Sequence, residues 1–282
     1  MKKASLLCIL MLLLCGCGSG SKEGRTAIAV SFEPQAALLK EMAGDSFDIV
    51  TLLPAKYDPE TYQPSVSTMR SLADADIYFT LETPGFETTL AETISDNFPD
   101  LEIVDTSEGI DRIYGTHAAS SGSPEGFDPH MMTSIRNCVR IADRMAVTIA
   151  ERYPEKADEI RKGHDRLVKR LRALDDSISH MDIRGKAFMV GHPVLSYFAR
   201  DYGLVQLPLE TDGKEASPAQ IAVRIDSIRK AGPVVYVLEN ADYNDREVNA
   251  ARQLQLGWIE VTLNSADWLD HLMRIAHEID RD

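Results

Sequence analysis

Short runs rich in β-branched and aromatic residues alternate along the chain with longer stretches of three- to four-residue apolar periodicity, and the alternation happens twice. Thr26 to Ser31, Ile49 to Leu53, Ile77 to Leu81 and Leu101 to Val104 read as the strands of a first half. Ala187 to Val190, Val205 to Leu209, Val234 to Leu238 and Trp258 to Leu263 read as the strands of a second. Helical periodicity runs over Pro34 to Ala43 and Ser67 to Ala73 in the first half, and over Leu195 to Tyr202, Ala219 to Ala231 and Asp245 to Leu254 in the second. Strands that alternate with helices are joined by right-handed crossovers into parallel sheets. The expected class is α/β, with a parallel sheet in each of two domains.

Between the halves, Ile160, His164, Leu167, Leu171, Leu174 and Ile178 recur at alternating spacings of four and three. That seam predicts one long helix of about 25 residues and about 37 Å, long enough to bridge both lobes. Pro154 suits its first turn. A coiled coil is the rival, but three heptads are short for one. A preceding helix from about Met131 to Arg152 closes the first half. The boundaries that follow are a first lobe over residues 25–152, a linking helix over 153–180 and a second lobe over 181–282.

The N-terminus carries a different signal. Lys2 and Lys3 precede an apolar run from Leu6 to Leu14 that is too short to span a bilayer, the pattern of an export signal. Leu14, Cys15, Gly16 and Cys17 resemble a bacterial lipobox, which implies removal of residues 1–16 and acylation of Cys17, with 17–24 as a flexible tether. An ordinary secretory cleavage nearby is the alternative. The expected location is extracytoplasmic, with a lipid anchor in a bacterial membrane, at the periplasm or the cell surface. Cys8 and Cys15 would leave with the signal, so Cys138 has no partner and no internal disulfide is expected. The net charge of −14 argues against a nucleic-acid partner and suits cationic ligands, although acidity also serves solubility alone.

In parallel α/β sheets ligands bind beyond the carboxyl ends of the strands, so polar residues after each strand are the candidates. Glu60 follows the second strand, and His130 ends the stretch Phe127, Asp128, Pro129, His130. His192 lies two residues past Val190, Glu239 ends the strand Val234 to Leu238, and Asp267 follows the last strand. Imidazole and carboxylate together favour a divalent transition metal, with carboxylates drawing the preference toward harder ions. Taken singly, the bland readings are that His164 packs on an apolar seam, Cys138 is a small buried hydrophobe, and Trp258 and Trp268 are core or interface aromatics.

Several stretches carry a resemblance. Ala43, Gly44, Asp45 and then Asp58, Pro59, Glu60, Thr61, Tyr62, Gln63, Pro64, Ser65 are similar to a loop of the Asp-Pro-His-x-Tyr-x-Pro kind. Leu72 to Asp76, then Asp128, Pro129, His130, then Gly191, His192 and Tyr197 to Leu204 match further motifs in the same order. The chain resembles the solute-binding proteins of zinc and manganese ABC importers, the ZnuA/TroA-like family. The resemblance implies two Rossmann-like lobes, one long bridging helix and a metal held between the lobes by Glu60, His130, His192 and an acidic residue near the C-terminal strand, here Asp267. Glu239 is then an acceptor that orients a ligand imidazole. Where the family pattern has histidine, this chain has Glu60.

The function so implied is a lipid-anchored receptor for a divalent transition metal (zinc first, manganese or iron as alternatives) that delivers it to the membrane permease of an ABC importer. It would be a monomer without catalytic activity. The competing readings are a degenerate receptor or adhesin that has lost its metal, and a metal-dependent hydrolase, for which neither a nucleophile elbow nor a His-Glu-x-x-His helix is present.

Overall fold

The computed structural model describes residues 26–55, 57, 62–83, 86–114, 126–211, 214–215, 225, 234–239 and 245–281. Cys17, the tether, Glu60 and most of the expected helix Ala219 to Ala231 lie outside them.

In the first half the elements are β1 (Ala27–Phe32), α1 (Glu33–Ala43), β2 (Asp48–Leu53), α2 (Val66–Ser71), β3 (Ala75–Thr80), α3 (Phe86–Asn97) and β4 (Glu102–Asp105). Its sheet has the order β2-β1-β3-β4, parallel throughout, with Ile28 opposite both Ile49 and Ile77. Next come α4 (Ile135–Arg152) and, after a 3-10 turn at Pro154–Lys156, the helix α5 (Ala157–Ser179). The second half holds β5 (Ala187–Val190), α6 (Ser196–Tyr202), β6 (Val205–Pro208), a short antiparallel pair β7 (Glu210–Thr211) and β8 (Lys214–Glu215), β9 (Val235–Glu239), α7 (Asp245–Gln253), β10 (Trp258–Val261) and α8 (Trp268–Asp280). Its parallel sheet has the order β10-β9-β5-β6. Both sheets place the chain's first strand inside and reverse direction beside it, which is the doubly wound pattern.

All eight expected strands form, the central ones β1, β5 and β9 buried along their whole length and the edge strands β2, β4, β6 and β10 partly exposed. The long helix is 23 residues, not about 25, since Pro154 starts a separate 3-10 turn instead of α5 itself. Met131 likewise opens a 3-10 turn, and α4 begins only after Ser134, whose hydroxyl accepts from Asn137 N at 3.1 Å and caps it. Trp268 is buried, but Trp258 is 40% exposed on the edge strand β10, so it is not a core aromatic.

The α5 helix packs on α1 and α4 and reaches α8 at its far end. Phe188, Val190, Val235 and Val237 on one face of the second sheet share a continuous apolar core with the first lobe, while Ala187, Met189, Tyr236 and Leu238 on the other face pack into a smaller one. An apolar core shared between lobes limits their movement as bodies. Among the described residues no helix is long and apolar enough to cross a membrane.

The reversal point of the first sheet is filled by an acid. The buried Glu87 carboxylate on α3 accepts from Leu81 N at 3.0 Å, from Thr83 N and from Ser31 Oγ, and that hydroxyl also pairs with Tyr78 Oη at 2.7 Å. Burial pushes the carboxyl up from its ordinary 4.5 to about 7, although those hydrogen bonds pull the other way. The folded chain thus holds a proton that the unfolded chain has released. Stability from this group is fully present below the ordinary value and declines as pH rises to about 7, by about 3 kcal/mol. In Glu87→Gln one amide oxygen can still accept from Leu81 and Thr83 while the amide donates to Ser31. Denaturant unfolding across this range should show the variant without that decline, and more stable than the parent at alkaline pH; parallel pH profiles would refute the assignment.

Candidate metal centre

The second sheet reverses between β5 and β9, and His192 stands two residues beyond β5 at that crevice. Gly191 before it lies against the Glu247 carboxylate on α7, which would have to swing away to admit a Cβ at 1.6 Å from its Oε1. With no side chain there, the backbone passes close to that carboxylate.

His130 arrives from the first half. Its backbone N–H donates to Asp128 Oδ1 at 2.9 Å, and its ring Nδ1 lies 2.9 Å from the same oxygen. An ionised carboxylate only accepts, so Nδ1 carries a hydrogen, and in the neutral ring the lone pair is then on Nε2. Burial would raise the Asp128 carboxyl, but the charge and hydrogen bonds of His130, with a bond from Ser196, hold it below the usual carboxylate range. The centroids of the His130 and His192 rings are 5.5 Å apart with their planes tilted by 66°. A single ion about 2 Å from one nitrogen of each ring is compatible with that spacing.

The His130 segment is fastened to the second lobe. Tyr197 Oη on α6 donates to Asp128 O at 2.8 Å and accepts from Ile113 N at 3.2 Å. Trp268 Nε1 donates to Met132 O at 3.1 Å, and Ser134 Oγ donates to the Asp201 carboxylate. Both imidazoles are therefore held by one framework, with Asp128 as the orienting carboxylate. That role belongs to a residue the sequence reading uses only as part of a motif; the signal for it is an acid two positions before a histidine, with a proline between.

Two of the other candidates have bonding partners of their own. Asp267 immediately precedes α8 with its side chain 65% exposed, accepting from Ser265 Oγ at 2.7 Å and lying 3.6 Å from His271 Nε2. The Ser265 bond holds its carboxyl below the ordinary range. Both carboxylate oxygens of Glu239 accept from Leu263 N, at 3.0 and 3.2 Å. Glu60 lies outside the described residues. Among the described residues no group of three or more His, Cys, Asp or Glu side chains stands together as a metal cage. His164 pairs with Asp143 at 2.6 Å in place of a purely apolar packing, and the buried Cys138 thiol is pushed up to about 12 by desolvation, as suits an inert hydrophobe.

A family model described as zinc-uptake complex component A, periplasmic, matches residues 28–267. The chain belongs to the ZnuA family. Among curated relatives of this family member, the zinc-binding lipoprotein AdcA of Streptococcus pneumoniae is 27% identical over 258 residues, covering 86% of this chain and 51% of that protein. A putative metal-binding protein of Chlamydia trachomatis is 28% identical, covering 72% of this chain and 71% of that one. The chain spans about half the length of the first of these relatives. A crystal structure of ZnuA superposes with a TM-score of 0.79 at 26% identity, covering 90% of this chain and 98% of the other. The zinc-bound AdcA of Streptococcus pneumoniae, at 20% identity and a TM-score of 0.70, covers 92% of this chain and 59% of its own, and shares the fold. The two-lobed α/β fold and the family implied by the sequence motifs are therefore those of the ZnuA family.

Proposed function

We propose that this ZnuA-family chain is an extracytoplasmic receptor that captures a divalent transition metal and passes it to the permease of an ABC importer. The observation that carries the reading is the His130–His192 pair, whose rings lie 5.5 Å apart at the reversal of the second sheet. His130 is oriented by Asp128, and both rings are held on one framework. Zinc is the first choice of cargo, supported by the imidazoles and by relatives named for zinc binding, with manganese and iron next because Glu60 would bring a carboxylate where the family pattern has histidine. Glu60 and Asp267 complete the proposed ligand set, and Glu239 supports it from behind. Acylation at Cys17 would keep a monomeric receptor beside its transporter at high effective concentration. Binding and release suffice for this role, so no catalytic step is assigned.

Elemental analysis of the purified mature protein, followed by thermal melts with zinc, manganese or ferrous ions, tests the reading. A cargo present at 100 to 1,000 times its dissociation constant adds about 3–4 kcal/mol to the folded state, enough to raise the melting temperature by several degrees. A protein that carries no metal and melts identically with every ion is not a metal receptor.

A further inference from the structure

We infer that Asn264 is a positioning residue that latches the rim of the metal cleft and slows release of the cargo. The inference rests on the receptor reading above and adds a residue to it. Asn264 follows β10 in the second lobe, yet its side chain bonds to two separate places in the first, the start of α1 and the loop after β2. Its Oδ1 accepts from Glu33 N at 3.2 Å, and its Nδ2 donates to Pro54 O at 3.2 Å. The orientation of the amide is unambiguous in chemical terms, since a backbone N–H needs the oxygen and a backbone carbonyl needs the NH2.

Each contact meets a need of the first lobe. Glu33 is the first residue of α1, where the N–H has no partner inside the helix, so Asn264 supplies a cap from across the cleft. Pro54 directly follows β2 and, in sequence, begins the stretch that leads to Glu60. The two bonds therefore fix the carboxyl-terminal ends of β1 and β2, the edge at which a doubly wound lobe meets its ligand. The latch is itself braced, because the Glu239 carboxylate at the end of β9 holds Leu263 N immediately before it. Since the lobes share an apolar core, the rim loops and not the lobes as bodies are what such a latch restrains. An uncharged amide performs this without bringing another charge to the cleft.

Asn264→Ala and the nearly isosteric Asn264→Leu test the inference in the full mature chain. Zinc and manganese serve as probes, with capture and chelator-driven release followed by stopped flow. Loss of two neutral hydrogen bonds corresponds to roughly tenfold faster release, with the capture rate unchanged. In the metal-free protein the Glu33 amide should exchange with solvent faster in both variants, read residue by residue by NMR. Wild-type release rates in both variants, or equal falls in the melting temperatures of the free and loaded forms with release unchanged, overturn the latch. If the parent protein takes up neither ion, the receptor reading fails instead, and the latch then stands or falls on the Glu33 exchange rate alone.

Discussion

Gly163→Ala should lower the melting temperature by roughly 4–8 °C, although alanine is the better helix former by about 1 kcal/mol. Gly163 lies inside α5 on the face that crosses α1, and a Cβ there would stand 1.8 Å from the Met42 carbonyl oxygen and 2.7 Å from its carbon. Those atoms belong to the α1 backbone and cannot rotate away as a side-chain tip can. Accommodation requires the two helices to separate. Overpacking of this kind costs about 3 kcal/mol, which outweighs the gain in propensity. Circular dichroism melts of the variant check the result, and an unchanged or higher melting temperature would show that the two backbones do not touch. The prediction bears on the proposed latch because α1 starts at Glu33, so a shift of α1 on α5 would move the amide that Asn264 holds.

Alanine at either imidazole should remove the cargo's effect on the melt. His192→Ala is the cleaner variant, with an expected loss of affinity above the roughly 100-fold that removal of an outer-shell partner costs. His130→Ala does more, since it also strips Asp128, only 2% exposed, of the imidazole that its carboxylate serves. The metal-free form of that variant should therefore melt lower than that of His192→Ala, because an unpaired buried charge is strongly destabilising. Asp128→Asn separates orientation from ligation. An amide oxygen can still accept from His130 Nδ1, so the ring stays in place while losing basicity, and affinity should fall about 10- to 100-fold. Equilibrium competition with a chromogenic chelator measures all three. If His192→Ala binds as the parent does, the imidazole pair is not the centre; if Asp128→Asn is as severe as His130→Ala, Asp128 touches the ion directly.

Legibility in the sequence followed the range of the forces involved. The strands and the long helix depend on apolar periodicity within a dozen residues, so they could be read locally, down to the seam through Ile160, Leu167 and Leu171. The helix α3 was missed because Thr88, Thr89 and Thr93 lower its propensity and its inward face includes the acid Glu87. His130 and His192 were legible because strand ends and motif order place them. Which carboxylate stands beside which imidazole was not, because that depends on contacts between loops far apart in the chain.

By itself the sequence determined the class of fold, the positions of its strands along the chain, the bridging helix and the family, and it offered the two imidazoles as candidates. Tertiary structure alone decided that Asp128 orients His130, that Asp267 faces solvent beside His271, that Glu239 braces a loop, and that Asn264 joins both lobes. The physical reason is that an isolated carboxylate or amide has many partners of nearly equal strength, and only the packed core, by fixing which loops meet, selects one.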